Sequence, residues 1–154
     1  MTQAEAESSR RRTEAQAIIQ AQTGIDEPMI QALIHGFYAR IRDDALLGPI
    51  FDAHIHDWPL HLERMCQFWS SVMLMSGQYH GQPLPRHMPL PIDARHFDHW
   101  LALFETTASE MCPPKAADHF NTRARRIAES LELGIASGRG ILLTKGQRLR
   151  QPES

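Results

Sequence analysis

DEPMIQALIHGFYARIRDD, residues 26–44, decides the class of fold. Asp26 suits the cap of a helix whose first turn tolerates Pro28. Ile30, Ile34, Phe37, Tyr38 and Ile41 then recur at three- and four-residue steps, which marks one buried face. Asp43-Asp44 and Gly48-Pro49 end the pattern. A second helix is expected from near Asp57, with Trp58 and Pro59 in its first turn and a stripe of His61, Met65, Phe68, Trp69 and Val72; Gly77 offers a stop. Pro83, Pro85, Pro89 and Pro91 then forbid a long helix, leaving at most a short turn between Leu84 and Met88. A third helix opens near Asp93, with Phe97, Trp100, Leu101, Phe104 and Met111 on one side. Beyond Pro113-Pro114 a fourth carries Phe120, Ala124, Ile127, Leu131 and Ile135, and Gly138-Arg139-Gly140 closes it. No alternating strand and no internal repeat competes with this reading. The chain is expected to be all-α.

Outward from these helices the sequence turns polar. Residues 1–24 have weak apolar periodicity and end at Gly24, so they read as a flexible or loosely helical extension. Residues 25–138 read as the folded domain and residues 139–154 as a polar C-terminal tail. A length of 154 residues suits one core and not two. The formal net charge is −2 with both signs interspersed, and Arg10-Arg11-Arg12 reads as a solvated run. That argues against a nucleic-acid partner. Cys66 and Cys112 are too few for a disulfide framework, and no C-x-x-C-H motif is present to tether a haem covalently. The start is polar where a signal peptide is apolar. The run from Phe68 to Met75 is too short to cross a bilayer, so no membrane association and a cytoplasmic location are expected.

Three of the expected helices place a polar-tipped residue on the inward stripe: Tyr38, His61 and Trp100. Buried tyrosine and tryptophan need hydrogen-bond partners. Taken singly, Tyr38 and Trp100 are ordinary core aromatics and His61 an ordinary boundary histidine. Three together justify a pocket as the alternative. His87 sits on the proline-clamped turn, flanked by Leu84 and Met88, where the backbone has little freedom. That suits an axial ligand, whose second ring nitrogen would donate to an acceptor, and it equally suits a solvent-facing loop histidine. His54 and His56 could form a surface metal pair but lack further ligands. Cys66 reads as a small hydrophobe, and Met73 and Met75 as packing.

Family resemblance changes these weights. The run from Phe37 to Arg42, followed by Leu47-Gly48-Pro49-Ile50-Phe51, resembles the second helix and following turn of truncated haemoglobins. Phe68-Trp69-Ser70-Ser71, then Tyr79 to Leu84, then His87 resembles the segment leading to their proximal histidine, and residues 96–104 the helix after it. The resemblance spans roughly residues 26–136. It is most similar to group III, because the paired-glycine signatures of the other two groups are absent.

The resemblance implies a two-over-two helical sandwich around one non-covalent haem b. It puts His87 in the proximal position, and Tyr38, His61 and Trp100 in the distal tyrosine, histidine and tryptophan positions. Phe51 would pack at the haem edge; Met65, Phe68, Trp69, Leu84, Met88 and Phe97 would pack around the group, and Arg86 could reach a propionate. Met65 departs from the aliphatic residue expected one turn after His61. The implied ligands are dioxygen, carbon monoxide and nitric oxide, served by a reductant. A polar distal site favours redox or detoxification chemistry of nitric oxide or peroxide over bulk oxygen delivery or transport, and leaves room for dioxygenase-like or peroxidase-like activity. Two rivals are a haem-based sensor acting through a partner and a haem-free helical interaction module.

Overall fold

A computed structural model describes residues 2–150 of the chain, and every regular element among them is a helix. In order these are α1 (Gln3–Thr23), α2 (Glu27–Asp43), α3 (Gly48–His54), α4 (Trp58–Leu74), α5 (Pro83–His87), α6 (Ala94–Met111) and α7 (Pro114–Gly138). α2 packs on α4 and α6 packs on α7. Contact between α2 and α6 joins the two pairs.

Local chemistry sets the ends of these helices. The Asp26 carboxylate accepts from Met29 N–H at 2.9 Å, and Asp57 accepts from Leu60 N–H at 3.1 Å. Each satisfies an N–H that the helix cannot pair internally, a contribution of about 1 kcal/mol. On α2 the residues Ile30, Leu33, Ile34, Phe37, Tyr38 and Ile41 are all buried. Removing each of the larger ones from water stabilises the fold by about 1.5–3 kcal/mol, so this stripe orients α2. α4 stops at Met75, which takes a left-handed conformation, two residues before Gly77.

A ladder of aromatic rings forms the centre. Phe104 stacks on Trp69 (centroids 5.0 Å apart, planes at 16°) and on Trp100 (5.4 Å, 13°). Phe37 meets Phe104 and Trp100 edge-on at 5.1 and 5.4 Å. Trp100 is therefore fixed by α2 and by its own helix at once.

Three segments add to the expectation. Residues 48–54 form α3, which four helical stripes did not include. Gly48 starts it because a Cβ there would lie 2.7 Å from the Arg42 carbonyl oxygen. Asp44 braces the corner before it, accepting from Leu46 and Leu47 N–H at 2.9 Å and pairing with His99 Nε2 of α6 at 2.5 Å. Residues 3–23 are helical, with a Thr2–Glu5 capping box; α1 lies on α4 and α7, anchored by Ile19 and the buried Thr23.

The third is the polar tail, which docks. Leu149 is fully buried and its carbonyl accepts from Ala94 N–H at 2.8 Å. Arg148 donates to the buried Glu132 at 2.7 and 2.8 Å and to Asp98 at 2.8 Å. Arg148→Ala should lower the unfolding free energy by about 1–2 kcal/mol, the low end for charged hydrogen bonds because the guanidinium is itself half exposed. A urea titration measures this, and an unchanged midpoint would show that the clamp contributes nothing.

Candidate functional site

A cavity of about 260 Å³ lies between α2, α3, α4, α6 and α7, with α5 at its side. Its walls are largely apolar: Phe51, Met65, Phe68, Trp69, Phe97 and Leu131 all line it. Tyr38, His61, Trp100, Arg86 and His87 line the same space. The structure thus brings together all but two of the residues that the resemblance puts at the haem. Leu84 and Met88 are the exceptions; neither lines the cavity, because both turn onto α7 at Gly134 and Gly138. A five-residue helix offers too short a pattern to show which face meets its neighbour.

His87 is the last residue of α5, and its Nδ1 donates to the Pro83 carbonyl one turn back at 2.6 Å. That bond places the proton on Nδ1 and leaves Nε2 with its lone pair, the form in which imidazole ligates a metal. Pro83 supplies the acceptor and also starts the helix, so the proline clamp fixes both ring orientation and tautomer.

The polar tips behave differently. Tyr38 is buried, its ring edge-on to His61 at 5.0 Å, Phe51 at 5.9 Å and Trp58 at 6.1 Å. Burial, reinforced by the nearby Cys66, pushes its phenol above the ordinary tyrosine range, so the hydroxyl stays protonated and available as a donor. The Nε2 of His61 is buried with no hydrogen-bond partner among the described residues. Such an atom costs about 1–3 kcal/mol unless something else pairs with it. Burial, then the nearby charges of His87, Arg64 and Arg86, lowers the His61 pKa to about 4, so the ring is neutral near pH 7.

The His61 shift has a consequence for stability. The folded pKa of about 4 lies below the ordinary 6.5, so the unfolded chain takes up the proton first as pH falls. Stability is therefore lost as pH drops from about 6.5 towards about 4. Urea unfolding at pH 7 and pH 5 should show a smaller loss for His61→Leu than for the parent chain. Equal losses would contradict the burial of a neutral ring.

Sequence reasoning missed several contributors. His96 caps its own helix, accepting at Nδ1 from Asp93 N–H at 3.0 Å, and lines the cavity from that place. The Asp93-x-x-His96 spacing carried that signal. Trp58 supports both Tyr38 and His61, and the Arg42 guanidinium lies 4.4 Å over its ring. His54 and Tyr79 also line the cavity, without a spacing that would have marked them. No cluster of three or more candidate metal ligands occurs among the described residues, at His54 and His56 or elsewhere.

An apolar cavity, one histidine with a fixed free nitrogen and one orphaned buried ring nitrogen form a donor set that fits a haem. Comparison with known proteins agrees. Residues 22–131 match the bacterial-like globin family, and the chain belongs to it. It is 33% identical to the group 3 truncated haemoglobin of Campylobacter jejuni over 113 residues, covering 70% of this chain and 89% of that one. It is 27% identical over 97 residues to a group 2 truncated haemoglobin of Bacillus subtilis, covering 62% and 67%. The crystal structure of the group III truncated haemoglobin from Campylobacter jejuni superposes with a TM-score of 0.66, covering 70% of this chain and 88% of that one. Globin membership implies a haem cofactor and a diatomic gas such as oxygen as ligand. No helix among the described residues is long and apolar enough to cross a membrane.

Proposed function

We propose that the chain holds one non-covalent haem b through His87 and presents Tyr38, His61 and Trp100 to the gas it binds. On this reading it serves redox or detoxification chemistry of nitric oxide or peroxide rather than bulk oxygen delivery, with a separate electron donor, in the cytoplasm. The observation that carries the proposal is the convergence of Tyr38, His61 and Trp100 on one apolar cavity, with His61 Nε2 buried and without a hydrogen-bond partner among the described residues.

When bound, the haem supplies an iron that takes a diatomic ligand and changes oxidation state. The chain supplies everything else. His87 presents Nε2, with its Nδ1 proton held by Pro83. Tyr38 donates from a hydroxyl that burial keeps protonated. Trp100 can only donate, and its stacked ring cannot turn away. Neutral His61 carries one ring proton and can donate or accept. Preorganised donors in a dry site favour a ligand that gathers negative charge, as an oxyanion hole does. The apolar walls limit water, so that preference is not spent on solvent. Carbon monoxide and nitric oxide would enter the same space.

Hemin titration tests the reading. The purified chain should take up about one hemin per chain with a strong Soret band, and the complex should melt at a higher temperature by mass action. A chain that stays colourless with added hemin overturns it.

A further inference from the structure

The cavity-lining stripe of α7 does not stop where the cavity does. Ile127 and Leu131 line the cavity, and the next positions at the same steps are Gly134 and Gly138. These two lie against α5, the helix that carries His87, and beyond residue 131, where the family match ends. A Cβ at 134 would sit 2.7 and 2.8 Å from the two Leu84 methyls, and a Cβ at 138 would sit 1.8 Å from Met88 Cε. Leu84 and the C-cap residue Met88 are spaced i and i+4 and share the face of α5 that rests on α7, while His87, between them in sequence, lines the cavity. So short a helix has little stability of its own, and its place is set by what it rests on.

We propose that Gly134, with Gly138 in a lesser part, is a positioning residue for His87. By leaving no side chain between the helices, Gly134 lets Leu84 sit directly on α7, and that seating fixes how far the His87 Nε2 reaches into the cavity. Met88 ends in a flexible thioether that can swing aside, so position 138 tolerates a methyl better than position 134. This inference rests on the haem reading of the site.

The experiment uses the hemin complex of the full chain and the variants Gly134→Ala, Gly138→Ala, Leu84→Ala and the double variant Gly134→Ala/Leu84→Ala. Gly134→Ala should lose hemin about tenfold faster to a scavenging protein, equivalent to about 1.4 kcal/mol. Its iron–histidine stretching band in the ferrous complex should shift, a readout that general loosening of the fold does not supply. Gly138→Ala should change both less. The double variant should regain most of the lost retention and move the band back, because the truncated side chain makes room for the new methyl. Parent-like loss rate and band in Gly134→Ala would overturn the proposal, as would a Gly134→Ala defect that Leu84→Ala fails to relieve. If the parent chain takes up no hemin at all, the haem reading fails instead.

Discussion

Tyr38→Phe should release oxygen about ten- to a hundredfold faster than the parent protein, with carbon monoxide affected much less. The expectation comes from one hydroxyl. A hydrogen bond to a charged group is worth about 1.5–3 kcal/mol net, and each 1.4 kcal/mol is about tenfold. The substitution keeps the ring, and with it the edge-on contacts to Phe37, Phe51, Trp58 and His61. The change therefore reports the lost donor and not lost packing. Carbon monoxide attracts less negative charge and gains less from the donor. Trp100→Phe should act in the same direction, and the pair of changes should be non-additive because both donors serve one ligand. Stopped-flow release of both gases from the three variants decides the matter. Equal responses of the two gases, or no response in any variant, would dismiss the polar cage even with haem in place.

His87→Ala should abolish stable hemin retention, with loss more than about a hundredfold faster, since removing a mere supporting contact already costs about 10–100-fold. Added imidazole should partly restore the spectrum by filling the space the ring leaves. Replacing His56 or His80, both exposed and outside the cavity, should change nothing. A parent-like ferrous spectrum in His87→Ala would move the axial role to another residue. His61 and His96 are the remaining buried or half-buried histidines of the cavity, and the same assay on each would find it.

The sequence was most readable where periodicity and chemistry coincide. The α2 stripe repeats often enough to fix which face is buried, and that face delivers Tyr38. His87 was marked by the prolines around it, although only the folded chain shows that Pro83 is also its hydrogen-bond acceptor. Helix α1 has no apolar stripe, so the sequence left it between a flexible and a loosely helical extension; its placement depends on Ile19 packing against a core formed by distant helices. The docking of Leu149 and Arg148 is equally non-local, because Glu132 and Asp98 are 16 and 50 residues from their guanidinium. The direction of Leu84 and Met88 depended on two glycines, residues whose lack of a side chain gives no apolar signal in a sequence pattern.

The stack of Trp69, Phe104 and Trp100 bears on how such a protein could diverge. Trp100 is both a wall of the cavity and a member of the central ladder. Truncating a fully buried aromatic costs about 3–5 kcal/mol; Trp100 is half-buried but stacks on the fully buried Phe104, so its loss takes part of that from a total of about 5–15 kcal/mol for a typical domain. Small replacements at Trp100 would lose the stack, whereas phenylalanine keeps a ring there. The Tyr38 hydroxyl can be removed while its ring remains. On the proposed reading of the site, selection for a different gas preference therefore has a less costly route through position 38 than through position 100, so lineages descended from such a chain should vary first at the tyrosine.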